Sequence, residues 1–422
     1  MQNPLYLRFA IPAGFRKESP KVKLQRKSGV RALTVGAVAI SGALLLTACG
    51  SDDNASSGSS SSSSASSSGS IKCADKAGQI LASGSSAQQN AIDLWVQKYQ
   101  AACSGTTINY KASSSGEGII DFNQGTDAFA GSDSPLKPEE VTASKGVCTG
   151  GTGISIPMVG GPIAIGYNLS GVDNLVLDAA TIGNIFNSKI TYWDDAAIKA
   201  LNSGVTLPHT KIQAFHRQDE SGTTDNLTKY LSGAAPKAWP YEHAKAFAGK
   251  GGQSAAKSAG VAAQVKQTNG SIGYFEVSYA TANSIKTAKI NTGASAPVEA
   301  NTANASAGIA QGKVVGTGAD LSLDLSSAYV TKADNAYPIV LVTYEIACDK
   351  GNKAATLPVT KSFLTYISSE EGQALLPDAG YAPLPAEIAT KVRATVAAPA
   401  TIRCTAAGGA IPHPDRRNPP WT

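Results

Sequence analysis

Residues 216 to 226, HRQDESGTTDN, gather an imidazole, a guanidinium, three carboxylates and three small hydroxyls around one glycine. Three chemistries use such a set: a serine nucleophile with its base, a solvated loop of ion pairs, or a cradle for an oxyanion. A nucleophilic Ser221 needs a base within reach. His216 is close in sequence, but alternation along a strand turns it away from Arg217. No G-x-S-x-G elbow occurs. The cradle has a positive case. Ser221-Gly222-Thr223 stands between an alternating strand-like run, KIQAFHR (211–217), and a helical face carrying Leu227, Tyr230 and Leu231, which Gly233 is expected to stop. That makes Ser221 an N-cap. A helix start exposes unpaired N–H groups and partial positive charge, and small residues let an oxyanion approach them. Arg217 supplies a planar fork for such a group. On extended backbone Asp219 lies on the same side and can hold the guanidinium in aim. The plainer role for Arg217, an exposed ion pair with Asp219 or Glu220, stabilises little.

The same chemistry recurs twice. Ser85-Ser86 follows the strand-like QILASG and precedes a helical face of Ala91, Ile92, Trp95, Val96 and Tyr99. Ser113-Ser114-Ser115-Gly116 follows TINYKA and precedes GIIDFNQG (118–125), a short helix closed by glycine. One capping serine is ordinary. Three at the carboxyl ends of strands in one open sheet share a crevice. Asp133, in GSDS, reads as a turn residue by itself. Beside a bound anion its carboxylate repels, unless the anion brings its own O–H. Phosphate at neutral pH does so and sulfate does not, so Asp133 favours phosphate.

These loops need a scaffold. TDAFAGSD (126–133) and GPIAIGYN (161–168) read as strands. Asp178 can cap a helix carrying Ile182, Ile185 and Phe186, and Asp194 one carrying Ile198 and Leu201. YPIVLVTYEIA (337–347) is nearly all apolar and suits a strand buried on both faces. Repeated strand–turn–helix units predict an α/β protein with a mainly parallel sheet. GKGGQS (249–254) lacks the order of a phosphate-binding P-loop and reads as a loop.

The chain has 422 residues, room for two domains and a large core. Its formal charge of +5 misleads: residues 1–48 hold eight of the 36 basic residues and one of the 31 acids, leaving 28 basic and 30 acidic residues in the remainder. A nucleic-acid footprint is therefore not expected. The basic start, the apolar run 32–48 and LTAC (Leu46–Cys49) read as an export signal ending at Cys49. A lone transmembrane anchor is the other reading, since seventeen uncharged residues nearly span a bilayer. Residues 51–70 contain thirteen serines and no apolar side chain larger than alanine, so they form a tether reaching about 25 Å. Cys49 aside, five cysteines remain, Cys73, Cys103, Cys148, Cys348 and Cys404, an odd number whose pairing the spacing leaves open. The four histidines are scattered and no cysteine–histidine cluster has metal spacing, so neither metal nor cofactor is expected.

Taken together, these residues resemble the phosphate-binding lipoproteins and periplasmic proteins that feed phosphate-specific ABC importers. The resemblance runs from about 78 to 395. It rests on GSSA (84–87), SSSGEG (113–118), AGSD (130–133), RQDESGT (217–223), TIGNIFNSKITYWDDAAI (181–198), SIGYFEVSYA (271–280) and GYAPLP (380–385). It implies a type II, two-lobed periplasmic-binding-protein-like fold, each lobe a mainly parallel sheet flanked by helices, with a hinge between them. It implies a receptor, not an enzyme, that closes on inorganic phosphate without a metal and passes it to permease subunits. The implied contacts are Ser85, Ser86, Ala87 through its N–H, Ser115, Asp133, Arg217, Ser221, Gly222 and Thr223, with Asp219 in support. AGSD stands where the family has Gly-Ala-Ser-Asp, and Ala87 where members often carry a bulkier residue. The lobes are expected at 71–157 plus 338–404 and at 158–337, with crossovers near Pro157 and Pro338. Residues 1–48 then form a lipoprotein signal peptide, 49–70 the lipidated Cys49 and tether, and 405–422 an irregular tail. The product is a monomer held by lipid on the outer face of the bacterial membrane. A receptor for another tetrahedral oxyanion, such as sulfate, and a serine-dependent phosphatase or hydrolase are the alternatives.

Overall fold

The computed structural model describes residues 71–398. The expectations for 1–48, Cys49, the tether to 70, Cys404 and the tail 405–422 lie outside the described residues.

The chain opens with three strand–helix units: β1 (Gln79–Gly84), α1 (Gln89–Ala102), β2 (Thr107–Ala112), α2 (Ser115–Asn123), β3 (Phe129–Ser132) and α3 (Pro138–Ser144). A long strand β4 (Gly153–Asn168) follows, then β5 (Val176–Leu177), α4 (Ala179–Phe186) and α5 (Ala196–Leu201). The next units are β6 (Gln213–Arg217), α6 (Gly222–Ala234), β7 (Gln253–Ala255), α7 (Lys257–Gln267), β8 (Ser271–Glu276) and α8 (Val277–Asn283). Short pieces come next: β9 (Lys286–Thr287), β10 (Lys289–Ile290), α9 (Thr302–Ile309), β11 (Lys313–Val314), β12 (Leu323–Asp324) and α10 (Ser326–Tyr329). The chain then returns through β13 (Val340–Cys348), α11 (Leu357–Ser368), α12 (Glu370–Ala374) and α13 (Ala386–Ala397).

The main sheet has the order β2-β1-β3-β13-β4-β8-β6-β7, with β9 also against β4. Its flanks are parallel: β1 pairs with β2 and β3, and β6 with β7 and β8. Its middle is antiparallel, because β4 and β13 run against each other and against β8 and β3. The first part of β4 pairs with β13 and the second part with β8, so one strand crosses from one flank to the other. It is longer than the expected 161–168 because GISIPMVGG is buried as thoroughly as the part that follows. Pro157 lies inside β4, where the register with β13 shifts, and Pro338 stands just before β13.

Apolar periodicity explains the helices. Ala91, Ile92, Trp95 and Tyr99 of α1 are buried, and Tyr99 packs edge-on to Phe363 of α11 with ring centroids 5.4 Å apart. Full burial of side chains this large is worth about 1.5–3 kcal/mol each. Asp178 caps α4 through the Thr181 N–H as expected. Two caps differ from the sequence reading. Asp195, not Asp194, caps α5, and Asp194 instead meets His209 and Lys199. Gly233 falls inside α6, which runs on to Ala234. Cys73 pairs with Cys103 and Cys148 with Cys348. Among the described residues no helix is long and apolar enough to cross a membrane, and no cluster of three or more His, Cys, Asp or Glu has metal-binding spacing.

Candidate functional site

The turns after β1, β2, β3, β6 and β8 meet at one junction, since the carboxyl ends of parallel strands share an edge of their layer. Each turn is built locally. Gly84 ends β1 at φ +131°, with Gly131 of β3 packed against the place of a Cβ. A side chain is excluded there, and the chain swings Ser85 and Ser86 over the sheet edge. The helix start after them differs from the sequence reading. Gln88 is the N-cap of α1 and makes no side-chain cap bond, so Ser85 and Ser86 are free for other partners. At α2 the cap is Ser114, through Glu117 N–H, and Ser115 is the first helical residue. At α6 Ser221 caps through Thr224 N–H, as expected.

All nine residues expected to touch an anion come together. Ser85 Oγ donates to Asp133 Oδ2 at 2.7 Å and accepts the Ala87 N–H at 3.0 Å. Ser115 Oγ donates to Asp133 Oδ2 at 3.2 Å and accepts the N–H groups of Asp133 and Gly222 at 3.2 and 3.3 Å. Arg217 donates Nη1 to Thr223 Oγ1 at 3.4 Å and to Ser258 Oγ at 3.1 Å. Ser258 N–H in turn donates to Ser86 Oγ at 3.2 Å. Asp133, Arg217 and the site hydroxyls are all nearly inaccessible to solvent.

Asp219 holds the guanidinium. Asp219 accepts from Arg217 Nε at 2.9 Å and also from Nη2, a fork-to-fork pair. Burial works to raise the Asp219 pKa, but the Arg217 bonds and charge outweigh it and hold that carboxyl below its usual range. Burial likewise opposes the Arg217 charge, and Asp219 overcomes it, so the guanidinium stays ionised. Asp133 goes the other way. Burial raises it despite donors from Ser85, Thr343 and Ser115 and the charge of Arg217. A carboxyl in that condition is suited to share a proton with a bound group.

His216 offers no base to Ser221. Its Nδ1 lies 3.0 Å from the Arg217 carbonyl and its ring stacks on Phe247 with centroids 4.0 Å apart. Ser221 Oγ is itself engaged as the cap.

Sequence reasoning missed three contributors. Thr343 Oγ1 donates to Asp133 Oδ1 at 2.7 Å. Glu276, at the end of β8, accepts from Thr223 Oγ1 at 2.7 Å. Ser258 joins Arg217 to Ser86 from the start of α7. A signal existed for the first two: each is a polar residue in a mainly apolar strand whose every position is buried. Ser258 had none, because it reaches the junction only after Lys257 takes φ +62°.

A two-flanked α/β sheet with polar turns gathered at its strand ends is the architecture of the two-lobed periplasmic-binding-protein class. Residues 60–371 match the model of the PBP superfamily domain. The chain is 42% identical over 363 residues to phosphate-binding protein PstS 3 of Mycobacterium tuberculosis, covering 86% of this chain and 96% of that protein. It is 41% identical over 359 residues to PstS 2 of the same organism, covering 84% and 95%. The structure of a high affinity periplasmic phosphate-binding protein, PfluDING, solved with phosphate bound, superposes with a TM-score of 0.60 at 22% identity, covering 75% of this chain and 93% of that one. The chain belongs to the PBP superfamily and, within it, to the PstS family of phosphate-binding proteins.

Proposed function

We propose that this protein is an extracytoplasmic receptor that captures inorganic phosphate at the junction of its loops and delivers it to the permease subunits of an ABC importer. One observation carries the reading. The Ser85 and Ser115 hydroxyls bond a buried carboxyl, Asp133, that can accept a hydrogen from the guest, with the Gly222 amide on Ser115 and the Arg217 charge acting on the same carboxyl. Donors alone would suit any tetrahedral oxyanion. The acceptor selects one that keeps an O–H, which favours phosphate over sulfate. Ser85, Ser86, Ser115, Ser221 and Thr223 supply hydroxyls, Ala87 and Gly222 supply N–H groups, and Arg217 supplies charge. Binding, not hydrolysis, is the output, because among the described residues neither His216 nor another base is bonded to Ser221.

The receptor closes about a hinge where β4 crosses between the flanks and the chain returns into β13, with lobes at 71–157 plus 338–404 and at 158–337. It works as a monomer. Cys49 bears the lipid, the leader before it is removed, and the serine-rich tether lets the body reach the permease. The test is a tryptophan-fluorescence titration of the purified protein with phosphate and with sulfate. A saturable response to phosphate that sulfate matches only at far higher concentration is expected. Equal responses favour a general oxyanion receptor, and sustained turnover of p-nitrophenyl phosphate favours a hydrolase.

A further inference from the structure

Glu276 is a second carboxyl at the junction, and the reading above gives it no task. It is 1% exposed. Its Oε1 accepts the Thr223 hydroxyl at 2.7 Å, while Oε2 is buried without a hydrogen-bond partner among the described residues. The groups that bear on it come from every side: Arg217 from β6, Thr223 from α6, Ser258 from α7, Asp133 from the end of β3, Tyr279 from α8, and Tyr381 from the turn before α13. Arg217 is the one cation among them, and Asp219 already neutralises it. Asp133 and Glu276 therefore leave an excess of negative charge where an anion is to sit. Burial, with the charge of Asp133 adding to it, raises the Glu276 pKa against the pull of Ser258, Thr223 and Arg217.

Thr223 sharpens the point. Its oxygen receives Arg217 Nη1 and its single hydrogen goes to Glu276. A hydroxyl so engaged gives an anion its hydrogen only by withdrawing it from the carboxylate, as the Ser85 and Ser115 hydrogens must be withdrawn from Asp133. Turning that hydrogen toward a guest strips the buried carboxylate of its donor. The loss is avoided when Glu276 carries a proton and donates it to Thr223 Oγ1.

We propose that Glu276 takes a proton from solvent as phosphate binds, so that Thr223 changes from hydrogen donor to Glu276 into hydrogen donor to the bound anion. Glu276 is then a positioning residue acting through Thr223, and its protonation also removes one negative charge facing the guest. The proposal rests on the phosphate reading.

The full chain and the E276Q variant are titrated calorimetrically with inorganic phosphate in buffers of different ionisation enthalpy, at alkaline pH where free phosphate is dibasic. The introduced glutamine imitates the protonated acid, since its amide can donate to Thr223 at any pH. Wild type is expected to take up about one more proton than E276Q, and its Kd to rise about tenfold more per pH unit than that of the variant. Equal proton uptake with parallel Kd curves overturns the proposal while leaving phosphate binding intact. Absence of phosphate binding in wild type overturns the phosphate reading itself. A measurement on wild type alone covers the case in which E276Q fails to fold. With glutamate side chains carbon-13 labelled, infrared difference spectra should gain a protonated glutamic acid band on phosphate addition. Without that band the proton does not reside on Glu276 and the relay is wrong.

Discussion

Gly222 passes so close to Asp133 that a Cβ built on it would stand 2.5 Å from the Asp133 Cβ and 2.7 Å from Ser115 Oγ. The first residue of α6 and the turn after β3 are thus in contact across the junction. Glycine is required there for approach, not for turning. Replacing it with alanine must push the two loops apart, an overpacking that costs about 1–3 kcal/mol. In a G222A variant, phosphate affinity should fall by a factor of ten or more and the thermal midpoint should drop by about a few degrees. Calorimetry beside a thermal melt measures both. Unchanged affinity would show that the loops spread without consequence.

Asp133 is expected to set selectivity. In D133N the side chain gains an N–H and loses an acceptor. Sulfate should then compete better against phosphate than it does with wild type. A competition titration reads the ratio directly, and an unaltered ratio would falsify the proton-acceptor role.

Arg217 is buried and its partner Asp219 is only partly exposed, so the pair is not a surface bridge. Removing the guanidinium in R217A leaves Asp219 unpaired and takes away the permanent cation. A loss of about 2–5 kcal/mol of phosphate affinity is expected. A calorimetric loss on the scale of exposed pairs, below about 1 kcal/mol, would move Arg217 out of the site.

Glu345 gives a stability prediction of known sign. It stands on β13 opposite Gly131, and neither of its oxygens has a partner among the described residues. Burial, opposed by Gln88 and reinforced by the charge of Asp133, pushes its pKa up from 4.5 to about 8. The folded state therefore holds this proton where the unfolded state has released it. Stability should fall as pH rises from about 4.5 to about 8 and level off above that, with a slope from this group of at most about 1.4 kcal/mol per pH unit. E345Q should flatten that part of the profile and be the more stable form at neutral pH. Denaturant midpoints of both proteins across the range decide it.

Cys148 and Cys348, 200 positions apart, join the loop between α3 and β4 to the end of β13. A C148S/C348S double variant should lose about 2–4 kcal/mol of stability. Phosphate affinity should survive, because the bond lies away from the junction. A variant with an unshifted thermal midpoint would mean that the sheet already fixes both ends.

The readable parts of this protein are those in which one residue type solves a local problem. Helix α1 was legible because Ala91, Ile92, Trp95 and Tyr99 share a face. Ser221 was legible as a cap, and Arg217 with Asp219 as a fork, because extended backbone puts alternate residues on one side. The cap of α5 was not, since Asp194 and Asp195 are adjacent and equally suited. Nor was the antiparallel middle of the sheet: a strand buried on both faces is apolar whichever way its neighbours run.

The sequence alone determined the chemistry on offer, namely hydroxyls and amides at helix starts, one guanidinium, and one carboxylate out of place beside them. It also determined the strand–helix alternation that could bring them to one edge, because hydrophobic period and capping are properties of neighbours along the chain. The tertiary structure alone decided that Thr343 and Glu276 join the site and that the Thr223 hydroxyl is already bonded to Glu276. It also chose the cysteine partners Cys73–Cys103 and Cys148–Cys348. Those are contacts between segments far apart in the chain, and local preference carries no information about which distant group arrives.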